Sequence, residues 1–417
     1  MKNIPLLLNH TSELFSLWYN KELAVRAADK IKRLYFSDRK YLGSKDRKFI
    51  ENLYYDMIKN LRLYEWQIDE KDMSPEVFTV HAYKKLYGDK KDIEFRIRDK
   101  IAETFEKHEY KDTYPDELDI RWSLPAIVWE HIKDHYPADE LAACLPALLE
   151  SPGVHIRTNT LRTTTPVLME KLQDIPYHLG ELSSDTLRLE KYANLTHHPL
   201  YKKGLFDIQD ESSQLVAHIC NPRKSDIVID LCAGAGGKTL HLAALQGDKP
   251  TLIATDKYPS RLKELVIRAK RLGIRNIQLT PLKQIKETYR GKTDILLIDA
   301  PCSGSGVYGR HPDRKWELSE ERLSFYIREQ EMLLNEHVDL IKKGGHLVYA
   351  TCSIIPDENE MQITKFLDKH KDFELVSVNE DLKEQAIKIP ERDDKFLQIL
   401  PHHFQSDGFF IAKMKRK

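Results

Sequence analysis

Ile227–Thr239 reads IVIDLCAGAGGKT, and the fold class is decided there. The β-branched run Ile227, Val228, Ile229 ends in Asp230, a glycine-rich turn follows, and Thr239 to Leu245 continues with helical character. Strand, glycine turn and helix make the first unit of a doubly wound α/β sheet, where ligands sit at the carboxyl ends of the strands. Gly234, Gly236 and Gly237 are expected to take positive φ and to let a ligand approach the backbone with no Cβ in the way. Two familiar readings of such a loop fail on single residues. A P-loop needs a glycine five positions before Gly237, and Cys232 stands there. A dinucleotide fingerprint starting at Gly234 needs a glycine where Thr239 stands. The loop Cys232, Ala233, Gly234, Ala235, Gly236, Gly237, Lys238 therefore suits a nucleotide-like ligand without a phosphate chain, and S-adenosylmethionine is the expected one.

Downstream, strand and helix patterns alternate to residue 417, as in a parallel α/β sheet. Leu252-Ile253-Ala254-Thr255 is a second strand delivering Asp256, placed to accept ribose hydroxyls as in dinucleotide sites. Pro259 opens a helix with the apolar stripe Leu262, Leu265, Val266, Ala269, Leu272, stopped by Gly273. Its other face, Arg261, Lys263, Arg268, Lys270 and Arg271, reads as solvated. Ile295-Leu296-Leu297-Ile298 is apolar throughout, a central strand buried on both faces, and it leads into Asp299-Ala300-Pro301-Cys302-Ser303. Arg310, His311, Arg314, Lys315 and Trp316 form a basic cluster with an aromatic, suited to RNA phosphates and bases. A helix is expected from Ser319 to Lys343, then the strand Leu347–Ala350 ending in Thr351-Cys352-Ser353, and finally an antiparallel strand Phe409–Ala412.

Asp299, Cys302 and Cys352 thus fall just beyond strand ends at the rim that carries the glycine loop. A cysteine is useful there if the target is an unactivated pyrimidine carbon. Carbon 5 of cytosine is too weak a nucleophile to take a methyl group unaided. Thiolate addition at carbon 6 makes carbon 5 enamine-like and splits one hard step into two easier ones. A free thiol has a pKa of about 8.5, so the site must favour the thiolate. A proton at ring nitrogen 3 balances the developing charge, and Asp299 is the carboxyl group placed for it. A second thiol could assist removal of the carbon-5 proton. Cys144 and Cys220 read as packing residues.

Residues 1–150 are helical by pattern, with Leu14, Leu17, Trp18, then Ala27, Ile31, Leu34, and then Phe49, Leu53, Met57, Leu61 at helical spacing. Ser151-Pro152-Gly153 breaks that pattern. Residues 151–210 read as strands around a helix, a small α+β (RRM-like) module of the kind that binds single-stranded RNA. Arg157 and Asn159 fit either RNA contacts or capping roles. Residues 211–417 form the third domain. Lys+Arg and Asp+Glu both number 65, so net charge argues neither for nor against nucleic acid. The five cysteines form no C-x-x-C pair, which excludes a zinc ribbon and fits a reducing compartment. With no apolar leader and no membrane span, the chain reads as a cytoplasmic monomer with no metal.

The segments DLCAGAGGKT, LIDAPCSGSGVYGRHPDRKW, GGHLVYATCSIIPDENEMQI and DGFFIAK closely resemble, in order, the signatures of the RsmB, Nop and Sun family of RNA cytosine-5 methyltransferases. The likeness covers about residues 150 to 417. LGSKDRKFI resembles the NusB-like, RNA-binding amino-terminal domain of bacterial, RsmB-like members. The resemblance implies a Rossmann-like class I methyltransferase domain with Cys352 as nucleophile and Cys302 assisting release. It implies that Asp299 touches cosubstrate and base, that Cys232 through Lys238, Asp256 and Arg261 hold S-adenosylmethionine, and that the substrate is small-subunit ribosomal RNA. One position departs from the family: members carry an Asp near the adenine after the third strand, and here Leu282 occupies that place. Adenine would then be held by a backbone group or more weakly.

Rival readings are an RNA-binding ribosome-assembly factor on the same fold without turnover, an NTPase, and a DNA cytosine methyltransferase with Cys302 as nucleophile. The intact Asp299, Cys302, Cys352 set argues against the first, and Cys232 in the loop against the second.

Overall fold

The computed structural model describes residues 3–23, 27–68, 73–88, 93, 95, 99–190, 194–247, 252–387, 389 and 395–417. By internal contacts the chain forms two compact units. One comprises Met1–Lys133, Pro137–Leu149 and His311–Leu318, and the other Asp134–Tyr136, Glu150–Arg310 and Ser319–Lys417. The small sheet of residues 151–210 thus shares a unit with the large one, and an excursion from the large sheet's sequence belongs with the helices.

The first unit is helical: α1 (Ile4–Tyr19), α2 (Ala28–Ser37), α3 (Ser44–Lys59), α4 (Leu61–Gln67), α5 (Pro75–Tyr87), α6 (Lys100–Lys107), α7 (Leu118–Arg121), α8 (Ala126–Ile132) and α9 (Ala138–Ala147). Its core gathers Leu8, Leu14, Phe15, Ile31, Ile50, Leu53, Met57 and Phe78 from the apolar stripes of α1, α2, α3 and α5. Ser74 and Asp99 cap α5 and α6 by accepting the backbone N–H groups of Val77 and Ala102. The excursion His311–Leu318 is built into this core. Trp316 donates its indole N–H to Ile58 O at 2.7 Å, and Asp313 accepts the Ala28 N–H at 2.9 Å.

In the second unit, β1 (Val154–Thr158), α10 (Thr165–Lys171), β2 (Tyr177–Leu179), β3 (Thr186–Leu189), α11 (Pro199–Lys202) and β4 (Phe206–Ile208) make a four-stranded sheet of order β2-β3-β1-β4. All its pairings are antiparallel, the arrangement of a split β-α-β-β-α-β unit. Arg157 is buried here with its guanidinium on Gln209 Oε1, and Asn159 donates to the carbonyls of Gly204 and Leu272, so both serve the fold.

Then follow α12 (Glu211–Cys220), β5 (Val228–Asp230), α13 (Gly237–Gln246), β6 (Leu252–Ala254), α14 (Leu262–Leu272), β7 (Ile277–Leu279), α15 (Leu282–Tyr289), β8 (Thr293–Asp299), α16 (Glu320–Glu336), β9 (Ile341–Thr351), α17 (Glu360–Lys369), β10 (Phe373–Val376), α18 (Asn379–Glu384), β11 (Leu397–Ile399) and β12 (Phe409–Arg416). The large sheet runs β10-β12-β9-β8-β5-β6-β7, with β11 on β12. Strands β5 to β9 pair in parallel, and β12 lies antiparallel between β9 and β10. Numbered along this seven-strand path, leaving out β11, the order is 3-2-1-4-5-7-6, a Rossmann-like plan whose last strand is inserted antiparallel. The sheet is buried on both faces, with Val228, Leu297 and Val348 on one side and Ile229, Leu296 and Tyr349 on the other.

Two expectations are corrected here. The helix expected over 319–343 stops at Glu336, because Ile341 already pairs with Thr293 and begins β9. Gly344 and Gly345 lie inside that strand at a register irregularity, where a Cβ on Gly345 would meet the Thr293 carbonyl at 2.9 Å. The basic face of α14 is not all solvated. Arg268 and Arg271 clamp the buried Asp207 of β4 at 2.6 and 2.5 Å. Burial opposes the Asp207 charge, but Arg268, Arg157 and Arg271 together hold its carboxyl below the usual range.

Candidate active site

The glycine loop spans the gap between β5 and β6. Ala233 N–H donates to Thr255 O at 2.9 Å, and Thr255 N–H to Asp230 O at 3.0 Å. Gly234 and Gly236 take positive φ, of 52° and 87°. A Cβ on Gly236 would lie 2.7 Å from Leu265 Cγ, so this position needs glycine for packing as well as conformation. Gly237 differs from expectation: it is the first residue of α13, has no positive φ, and a Cβ there would meet nothing within 4 Å. Its role is open space over the loop.

Asp256 is buried and closes the loop, accepting the Gly234 N–H at 3.0 Å and the Tyr258 N–H at 2.7 Å. Beneath it Asp230 accepts the Thr239 hydroxyl at 2.6 Å, and burial pushes its carboxyl up to about 7. Burial, then the charges of Asp230, Asp299 and Asp256, keep the Cys232 thiol neutral. Arg261 is exposed, its guanidinium 5.0 Å from the Tyr258 ring. Leu282 starts α15 and packs against the core, offering an apolar surface where a carboxylate was expected.

The parallel pairing of β8 with β9, Asp299 opposite Ala350, carries both cysteine loops to one rim. Cys302 Sγ and Cys352 Sγ are 3.4 Å apart. Hydrogen bonding to Cys352, followed by burial, raises the Cys302 pKa well above that of a free thiol, so Cys302 stays protonated. Lys238, at the start of α13, donates to Asp299 Oδ2 at 2.8 Å and lies 4.8 Å from the Phe409 ring. Burial works against its charge, yet Asp299 holds the ammonium above its ordinary pKa, with Cys352 adding to that. One rim therefore brings together the glycine loop, a half-buried ion pair and two thiols.

The family model of the 16S rRNA methyltransferases RsmB/F matches residues 217–415, which include every element of this rim. The chain is 31% identical over 306 residues to the probable ribosomal RNA small subunit methyltransferase B of Synechocystis sp., a match covering 71% of this chain and 67% of the relative. The chain belongs to the RsmB/F family. It is 36% identical over 271 residues to the corresponding probable methyltransferase of Bacillus subtilis, covering 64% of this chain and 60% of that one. The matches thus span about two thirds or less of these relatives' length. A methyltransferase homolog protein from Pyrococcus horikoshii has a similar solved structure, with TM-score 0.62, 26% identity, and coverage of 72% of this chain and 98% of that one. As a family member the chain is placed among rRNA methyltransferases. No helix of the described residues is long and apolar enough to cross a membrane.

The basic cluster is corrected by burial. Arg310 donates to Asp210 Oδ2 at 2.6 Å, to both oxygens of Asp407 at 2.8 Å and to Gly153 O at 3.2 Å. Asp210 also caps α12. Lys315 is fully buried, its ammonium on the carbonyls of Lys59 and Ser123 at 2.6 and 2.7 Å, and burial drives its pKa well down. Neither can present charge to a phosphate. His311 is half-buried, and Arg314 is the exposed cation of the segment. Glu358 was missed from sequence. It is fully buried and bonded to the residues that follow both cysteines. Its only signal was its place in the PDENE stretch just beyond Thr-Cys-Ser.

Proposed function

We propose that this rim methylates carbon 5 of a cytosine in small-subunit ribosomal RNA through a covalent cysteine–RNA intermediate. The carrying observation is the pair of thiols 3.4 Å apart beside the Lys238–Asp299 ion pair. S-adenosylmethionine supplies the methyl group. The fit rests on the glycine loop, open above Gly237, with the buried Asp256 carboxylate at its edge for the ribose hydroxyls. Cys352 adds as thiolate to carbon 6, and the Asp299–Lys238 pair delivers a proton to ring nitrogen 3. The resulting enamine makes carbon 5 nucleophilic. Once carbon 5 carries the methyl group, its proton leaves to water with Cys302 assisting, elimination returns the Cys352 thiolate, and nitrogen 3 gives its proton back to the Asp299–Lys238 pair.

The base must leave its stack to reach Cys352, so the substrate is an unpaired or loop cytosine. The antiparallel sheet β2-β3-β1-β4 and the NusB-like helical unit are the RNA-binding parts of this reading, with Arg314 contacting phosphate. The test separates the thiols by the order of steps. With labelled RNA and cosubstrate, Cys302→Ala stalls after methyl transfer and shows a slow-migrating adduct on a denaturing gel. Cys352→Ala and the double variant show none. An adduct in Cys352→Ala instead would place the nucleophile at Cys302. No adduct in either single variant, with activity retained in both, would reject thiol catalysis.

A further inference from the structure

The two cysteine loops come from different strands, and something must fix their relative placement. Backbone pairing of β8 with β9 ends at Asp299 and Ala350, before either cysteine. Beyond that point Gly306 N–H donates to Cys352 O at 3.0 Å, and Ile354 N–H to Ser305 Oγ at 2.9 Å. Ser353 Oγ also lies 2.9 Å from Ser305 Oγ and 3.3 Å from Ser303 Oγ, and the other side-chain links across the two loops converge on one carboxylate. Glu358 Oε1 accepts the Ser303 N–H at 2.8 Å and the Gln330 amide N–H at 3.1 Å. Its Oε2 accepts the hydroxyls of Ser303 at 2.5 Å and Ser353 at 2.6 Å. Ser303 directly follows Cys302, and Ser353 directly follows Cys352.

Four donors on two carboxylate oxygens fill the acceptor sites such a group has. The carboxylate is itself held in place. Tyr349 donates its hydroxyl to the Glu358 carbonyl at 2.7 Å, and Gln330, on α16, also reaches Pro301 O at 2.9 Å. Asn359 adds a second tie, donating to Ser353 O at 2.9 Å and accepting the Thr351 hydroxyl at 2.6 Å. A charge-capable group is costly to bury, and a fold that needed only packing here would be served by an apolar residue.

We infer that Glu358 is the positioning residue of the two-thiol site, setting the Cys302–Cys352 spacing through the serine that follows each cysteine. It touches neither thiol. Its effect passes through Ser303 and Ser353, so its loss misplaces both thiols relative to the base without removing a reacting group. A misplacement of about 1 Å can lower a rate by about a hundredfold. The inference rests on the two-thiol reading above.

The test uses the full chain, and its first measurement needs neither RNA nor cosubstrate. Diamide oxidises two neighbouring thiols to a disulfide, taking up the two electrons and two protons they lose. Closure of the Cys302–Cys352 disulfide is followed by peptide mapping in the wild type, Glu358→Gln and Glu358→Ala, with thermal melts to establish folding. Closure should slow about ten- to a hundredfold in Glu358→Ala. It should slow less in Glu358→Gln, whose amide keeps one acceptor for the Ser303 N–H. In turnover, kcat should fall in the same order while KM for RNA and cosubstrate stays put, a split that loss of folding would not give. Closure at the wild-type rate in folded variants overturns the inference. If the Glu358 variants do not fold, the Ser303→Ala, Ser353→Ala double variant is read by the same criterion. Methyl transfer that survives Cys352→Ala would sink the catalytic reading and leave the closure measurement standing.

Discussion

Replacing Arg310 with Met separates a structural role from an RNA-contacting one. The guanidinium is mostly enclosed and bridges Asp210 and Asp407, whose side chains are 8% and 9% exposed. The two carboxylates share one cation, with His155 Nδ1 also on Asp210 at 3.1 Å. Burial and then the Asp210 charge push the Asp407 carboxyl up, while His155 and Arg310 hold Asp210 down against its own burial. Removing the cation leaves both acids buried with no guanidinium between them. Breaking such a pair from one side costs about 3–5 kcal/mol, offset by about 1 kcal/mol for the better packing of Met. The net loss of about 3 kcal/mol should lower the urea midpoint of the sheet-containing unit by about 1 M or more. Asp407→Asn in the same chain should recover part of it, since one uncompensated charge is gone. RNA affinity and its salt dependence should change little at temperatures where the variant is folded. The reasoning is refuted if the midpoint stays at the wild-type value while the slope of affinity against salt drops by about one phosphate contact.

Three further outcomes follow from the site. Asp256→Ala should weaken S-adenosylmethionine binding by about ten- to a hundredfold, because it removes a carboxylate that also anchors Gly234; unchanged affinity by calorimetry would reject the ribose assignment. Asp230 has a folded pKa of about 7, above the roughly 3.9 of an unfolded Asp, so its contribution is full below about pH 4 and is lost as pH rises through 7. Urea unfolding at pH 5 and pH 8 should show a loss of a few kcal/mol in the wild type that Asp230→Asn lacks, and an equal loss in both would contradict the shift. Arg314→Glu should flatten the salt dependence of RNA binding, whereas Lys315→Met should lower stability and leave the slope alone; the opposite pairing would reverse the two assignments.

The rim was legible because strands buried on both faces spell themselves out as short apolar runs, and polar chemistry must wait for the residue where burial ends. Ile295–Ile298 before Asp299 and Leu347–Ala350 before Thr351-Cys352 carry that signal. The order of those strands was not in the pattern, since pairing of β12 between β9 and β10 joins segments far apart in sequence. The helix overrun past Glu336 has a similar cause. Leu340 and Ile341 sit at helical spacing, and only the partner strand β8 makes them the start of β9. Charge was the least legible property. A run such as Arg310, His311, Arg314, Lys315 gives sign and number but not direction, and direction depends on partners far away in sequence. Asp210 and Asp407 flank Arg310 from either side of the chain, and Lys59 and Ser123 supply the carbonyls that hold Lys315.

That difference has a consequence for how the site is built. The groups proposed for chemistry sit where local sequence places them, one or a few residues past a strand end, so a strand and its turn suffice to specify them. The group inferred to hold those loops in register, Glu358 with Gln330, and the buried bridge of Arg310 with Asp210 and Asp407 are specified only by tertiary packing. Motif residues can therefore be intact while the distance between Cys302 and Cys352 is wrong. The sensitive measure of a functional rim in this chain is the thiol–thiol spacing that Glu358 governs, rather than the presence of the two cysteines.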